Sequence, residues 1–180
     1  MSRIRDWRPG LLGISALVIA LDRLTKIWVS RHIIEGDAIT VIPGIFRISH
    51  VENSGAAFSM FTSLPNPERT RWMLTAFSLL AAVVVLVVLY RIGRRFSLTS
   101  LSMALVLGGA IGNVWDRIRQ GTVVDFLEVH IVHYHWPDFN LADSAIVVGG
   151  ILLLLDALLA PSHASTKDTQ TPAANGSTGA

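Results

Sequence analysis

Asp125 and Asp143 each stand beside an apolar stretch, in a chain of 180 residues of which only 16% are charged. The segment that holds them, residues 108–143, ends one apolar helix candidate, crosses a polar loop carrying Asp125, and opens a second helix candidate with Asp143 in its first turns. Both carboxylates are thereby returned to the same face of a membrane. An acid in or beside an apolar span is expensive and marks a functional site by default. Two acids at one level suit acid/base chemistry. Like charges a few ångströms apart do not both ionise, so the pair shares a proton; one member draws a proton from water while the other polarises a carbonyl. The water attacks, a tetrahedral intermediate forms, and the proton passes to the leaving amine. That is aspartic-protease chemistry. The two acids titrate as a unit, so neither is singled out as the base. A second reading is equally open on these residues alone: a small ion or proton transporter with the carboxylates as relays.

Other polar residues share that level. On a helix running outward, Asn113 and Arg117 are four apart and share a face, while Asp116 points elsewhere; Asn140 and Asp143, three apart, share another. Arg117 suits a phosphate headgroup or a bidentate grip on a carboxylate. Asp22 and Lys26 are four apart and can pair, the plain alternative being a structural ion pair snorkelling outward. Asn53-Ser54-Gly55 reads either as a turn or as a backbone and amide platform beside the acids. There is no cysteine, which removes thiol nucleophiles, disulfides and thiolate metal sites. His130, His133 and His135, near Glu128 and Asp138, invite a zinc reading. Their spacing is not that of a HExxH helix, and histidines beside Tyr134 and Trp136 also suit an interfacial belt, so no metal and no cofactor are expected. A hydrolase using Lys26 as base for Ser54, Ser59 or Ser144 is a further rival.

The elements that must position these groups follow from composition. Hydrophobic residues make up 51% of the chain and its mean hydropathy is +0.51, the balance of a membrane protein. The length allows about four spans of roughly 20 residues. The expected fold is a membrane all-α bundle of four transmembrane helices, with spans at about 11–29, 72–90, 98–115 and 139–159, and a small extracytoplasmic β-sheet. Residues 1–160 form one domain and 161–180 a disordered cytoplasmic tail. Residues 31–71 make the outer loop: Pro43-Gly44 signals a turn, and Ile39 to Ile42, Phe46 to Val51 and Gly55 to Phe61 are candidate strands. Ser63 to Arg71 reads as a loop or short surface helix. Gly108 and Gly112 are spaced for close helix packing. Asp156, near the inner end of the last span, is read as solvated. Arg3, Arg5 and Arg8, with Arg91, Arg94 and Arg95, mark the inner side, so both termini are cytoplasmic and the acids face outward. The net charge of +2 reports this orientation, and no nucleic-acid partner is expected.

Five ordered blocks carry a resemblance: Asp22-Arg-Leu-Thr-Lys26, Asn53-Ser-Gly-Ala-Ala-Phe58, Gly108-Gly-Ala-Ile-Gly-Asn113 with Asp116-Arg117, Val123-Val-Asp125-Phe126, and Phe139-Asn-Leu-Ala-Asp143-Ser144. In order and spacing the chain resembles bacterial lipoprotein signal peptidase (signal peptidase II), an aspartic peptidase family, from Asp22 to Ser144. The resemblance implies a protease of the bacterial cytoplasmic membrane that removes signal peptides from diacylglyceryl-modified prolipoproteins, cutting before the lipidated cysteine. It implies Asp125 and Asp143 as the catalytic pair and Asn53, Asn113, Arg117 and Asn140 as orienting or substrate-contacting residues. Asp22, Lys26, Gly55 and Gly108 then support the site. It implies a substrate cradle on the outer sheet, a flap near Phe61 to Glu68, and a site open to membrane lipids; a monomer is expected. Arg23 departs from the glutamine common in the family.

Overall fold

The computed structural model describes residues 6–54, 67–132 and 134–159. Its elements run α1 (Arg8–His32), β1 (Ala38–Ile42), β2 (Phe46–Asn53), α2 (Pro67–Ile92), α3 (Leu98–Arg119), β3 (Val123–Ile131), β4 (Tyr134–Phe139) and α4 (Leu141–Leu159). Helix α3 is the hub, packed against α1, α2 and α4. Small residues permit this closeness. A Cβ added to Gly108 would lie 2.7 Å from Val18 Cβ, and one added to Gly112 would lie 2.8 Å from Asp22 Oδ2, so α1 and α3 touch backbone to side chain where larger residues would hold them apart. Ser15 Oγ, buried in the same seam, donates to the Ala104 carbonyl at 2.7 Å.

The helices are apolar on the outside as well as within. Phe77, Leu80, Val84, Leu154 and Leu158 are all exposed, whereas the buried cluster between α1, α2 and α3 is only Leu11, Ala82, Leu89, Ala104 and Leu107. A surface that apolar has its partner in lipid. Among the described residues three helices, α2, α3 and α4, are long and apolar enough to cross a membrane. Helix α1, at 25 residues, is long enough too, but it carries Arg8, Asp22, Arg23, Lys26 and Arg31.

The strands form one antiparallel sheet in the order β1-β2-β3-β4. It is fastened to the end of α1 by a cluster of Val29, Ile33, Val124 and Phe126, and by a hydrogen bond between His50 Nδ1 and the Ile33 carbonyl oxygen at 2.8 Å. Three bulges shape it, the first at Val41 of β1. On β2, Ser49 and His50 together face Phe126 of β3; on β4, Pro137 and Asp138 together face Glu128. Proline is tolerated at such a position because no ladder N–H is required there.

Several expectations are corrected. The polar loop expected around Asp125 is strand β3, because its partner β2 arrives from 70 residues upstream and satisfies its backbone groups. Phe139 belongs to β4, so the last helix starts at Leu141, and α3 continues past Trp115 to Arg119. Residues 67–71 are the first turns of α2, and Asn53 ends a strand where a turn was one of the readings. Pairing with Val123 holds Asn53 in the strand, and Arg71 anchors the start of α2: its Nε and Nη2 donate to the Arg117 and Ile118 carbonyls at 3.0 and 3.1 Å, capping the C-terminal end of α3 with a cation. Asp156 accepts a hydrogen bond from Thr99 Oγ1 and is half-buried, where solvation was expected. Gly55, the strand expected at Gly55 to Phe61, most of the flap region, His133 and the tail lie outside the described residues.

Candidate active site

The site is built at the N-terminus of α4. A helix start leaves its first N–H groups without intrahelical partners, and here side chains supply them. Asn140 stands before the helix and Asp143 is its third residue. Asn140 Oδ1 accepts from the Asp143 backbone N–H at 2.9 Å, while Asp143 Oδ2 accepts from the Asn140 backbone N–H at 3.2 Å. This reciprocal pair is a capping box made with Asn and Asp. Asp22 Oδ1, on α1, accepts from the Ala142 N–H at 3.0 Å. The positive end of the helix dipole favours both acids there. Asp143 is therefore fixed by the grammar of a helix start, which leaves its other oxygen free to accept from Asn113 Nδ2 at 2.7 Å.

Asp125 reaches the same point from the sheet. Asn53 pairs with Val123 in the register, placing it diagonally across from Asp125, so the two share a face. Asn53 Nδ2 donates to Asp125 Oδ2 at 2.9 Å, and Asn140 Nδ2 donates to Asp125 Oδ1 at 2.7 Å. Asn140, 0% exposed, thus touches one acid through its amide and the other through its backbone. Burial pushes the Asp125 carboxyl up to about 6; the Asn53 hydrogen bond opposes the rise and the charge of Asp143 adds to it.

A second polar cluster lies behind this pair. Lys26 Nζ is 2.8 Å from Asp22 Oδ2, 2.7 Å from Asp116 Oδ2 and 3.2 Å from Asn113 Oδ1. Three oxygens thus surround an ammonium with three N–H groups. Arg23 Nη1 donates to Asp116 Oδ1 at 2.6 Å. Two acids and two bases cancel, as burial demands. Lys26 is 1% exposed, so it does not snorkel. Asn113 Oδ1 also accepts from Asn140 Nδ2 at 3.2 Å. With its oxygen turned toward two donors, the Asn113 amide must present its N–H to Asp143.

A cavity of about 420 Å³ opens in front of the acids, lined by Asn53, Asn113, Arg117, Asp125 and Asp143 together with Tyr134, Trp136 and Asp138 of β4. Arg117 Nε is buried there without a hydrogen-bond partner. Burial, and then the charge of Glu128, push the Asp138 carboxyl above its ordinary value.

The structure thus brings together Asp22, Lys26, Asn53, Asn113, Arg117, Asp125, Asn140 and Asp143, with Gly108 and Gly112 setting the helix spacing. Sequence reasoning missed Asp116 and Arg23. The signal was present for Asp116, which is three residues from Asn113 and therefore also on its face. It missed Asp138 as a wall of the cavity, since only the β4 bulge puts it there.

The signal peptidase (SPase) II family model matches residues 14–159. The chain is 46% identical over 147 residues to the lipoprotein signal peptidase of Burkholderia mallei (strain SAVP1), covering 82% of this chain and 86% of that protein. It is 42% identical over 156 residues to the lipoprotein signal peptidase of Solibacter usitatus (strain Ellin6076), covering 85% and 93%. Among solved structures, a bacterial membrane enzyme determined by the in meso method at 1.9 Å resolution matches with a TM-score of 0.72 and 27% identity, over 89% of this chain and 100% of that one. The apolar helices make the protein an integral membrane protein, and, with the match running through every helix that builds the site, the chain belongs to the signal peptidase II family and is an aspartic protease of that type.

Proposed function

We propose that the protein removes signal peptides from diacylglyceryl-modified prolipoproteins, cutting before the lipidated cysteine, with a water activated between Asp125 and Asp143. The observation that carries this reading is Asn140, which binds both carboxylates at the wall of one cavity. In the resting state the two carboxylates share one proton, which the burial that raises the Asp125 pKa favours. The ionised member accepts a proton as the water attacks the scissile carbonyl, whose oxygen the protonated member polarises. Collapse of the tetrahedral intermediate breaks the C–N bond and passes the proton to the leaving amine. Asn53, Asn113 and Asn140 hold the acids through neutral donors, which orient them without removing their ability to titrate.

The arrangement suits a substrate already in the bilayer. Four passes, with Arg8, Arg91, Arg94 and Arg95 on the cytoplasmic side, put both termini inside and the sheet and acids at the outer face of the cytoplasmic membrane. The signal helix and acyl chains arrive laterally from lipid, and Arg117 meets the polar part of the substrate. The enzyme acts as a monomer on lipid-modified precursors. The test is purified protein with a diacylglyceryl-modified precursor peptide, comparing the unaltered chain with Asp125→Asn and Asp143→Asn. Each single change is expected to abolish cutting in a protein that still folds; cutting retained in either variant refutes the mechanism.

A further inference from the structure

A second group of chemically capable side chains sits on the outer sheet, away from the catalytic pair. His130 of β3 and His135 of β4 are register partners, and Glu128, two residues before His130, shares their face. Glu128 Oε1 lies 2.7 Å from His130 Nε2 and 3.5 Å from His135 Nε2, and all three donor atoms fall within 4.8 Å of one another. The bulge on β4 brings Asp138 alongside, with Oδ1 3.7 Å from His135 Nε2 and buried without a hydrogen-bond partner. Two imidazole nitrogens therefore converge on one carboxylate oxygen, with a second carboxylate at the edge.

We propose that Glu128, His130 and His135 form a binding site for a divalent transition ion of the zinc class, with Asp138 beside it and a position open to solvent. Imidazole with carboxylate is a donor set that such ions prefer, and ligand bonds of about 2.0–2.2 Å place tetrahedral donors about 3.3 Å apart. The two Glu128 edges, 2.7 and 3.5 Å, bracket that value, and all three donors lie within 4.8 Å of one another, within reach of side-chain rotation. Arg47, register partner of Glu128, has Nη1 3.2 Å from the same Oε1; its side chain is 40% exposed and can turn to solvent as the ion enters. The two carboxylates and Arg47 leave one negative charge facing the cation. The sequence spacing concealed this set because the two histidines meet across a hairpin, where a helical metal motif would join them along one face. The bound ion would tie β3 to β4, which carries Tyr134, Trp136 and Asp138 into the wall of the catalytic cavity.

The test uses the full chain without an affinity tag, purified in detergent micelles and stripped of metal, titrated with Zn2+ alone by calorimetry and with Co2+ alone by visible absorption. One ion per chain is expected, with a tetrahedral Co2+ spectrum. His130→Ala and His135→Ala are each expected to weaken binding by more than about tenfold, while Asp125→Asn binds as the unaltered chain does. Zn2+ is also expected to slow amide exchange in residues 128–136. No binding, equal binding by the histidine variants, or unchanged exchange in the hairpin would each overturn the proposal; because none of these readouts involves peptide cleavage, they stand apart from the test of the peptidase.

Discussion

Two pairs of acids, buried except for half-buried Asp143, lie a few side chains apart and are treated in opposite ways. Asp22 and Asp116 are met by Lys26 and Arg23, charge against charge, with contacts of 2.6–2.8 Å. Asp125 and Asp143 have amide donors from Asn53, Asn113 and Asn140 as their direct hydrogen-bond partners. Ion pairing locks a carboxylate in its charged form, which makes it a fastener; neutral donors in a half-dry site orient a carboxylate but leave its proton negotiable. The two clusters meet at Asn113, which accepts from Lys26 and donates to Asp143. The first cluster thus decides which way the amide of the second one faces.

If the contrast holds, the two sets of substitutions separate cleanly. The largest effect is expected for Asp125→Asn and Asp143→Asn, with precursor cleavage falling by about 10³- to 10⁴-fold and the cooperative unfolding transition in micelles retained. Next, Lys26→Met strands buried Asp22 and leaves Asp116 with Arg23 alone, and is expected to remove about 3–5 kcal/mol of stability by chemical denaturation. Pairing it with Asp22→Asn and Asp116→Asn should restore much of that loss, and a Lys26→Met protein as stable as the parent breaks the comparison. Asn140→Ala removes the bridge between the acids and the cap of α4; it is expected to lower kcat/KM by roughly 100-fold and stability by about 1–2 kcal/mol.

The pH response sharpens the same contrast. Asp125 titrates near 6 in the folded protein against 3.8 for the unfolded side chain. Between those values the folded state binds more protons, so stability falls as pH rises from about 4 to 6 and levels off above. Asp125→Asn should flatten this dependence, as followed by thermal unfolding across that window. For the free enzyme, kcat/KM is expected to decline as pH rises through about 6, where the shared proton is lost. The smallest effect is expected for Arg23→Gln. Asp116 keeps Lys26 and Arg23 is partly exposed, so the loss should be under about 1 kcal/mol with cleavage near normal.

The apolar spans were legible because a run of about 20 uncharged residues has few other uses, and α2 and α4 depart from the reading by only a few residues at their ends. The Asp22 and Lys26 pair was legible from helical spacing. The strand character of 123–131 was not: Val123-Val124-Asp125-Phe126 is buried at every position, so it lacks the alternation that marks a half-exposed strand, and its partner lies far away in the chain. Asp116 was misplaced by following one helical neighbour of Asn113 and neglecting another. His130 and His135 were weighed along the chain, where their spacing means little, while the hairpin register makes them neighbours.

What the sequence determined by itself is local and chemical: which residues are expensive in a membrane, which lie three or four apart on a helix, and which acids are candidates for sharing a proton. Only the tertiary structure decided that Asn140 serves both acids, that Lys26 turns Asn113 toward Asp143, and that Asp125 arrives on a strand. The physical reason is that hydrogen bonds and charge compensation in a buried site are made between segments brought together by folding. Spacing along a chain encodes the face a side chain takes, and only packing supplies what that face meets.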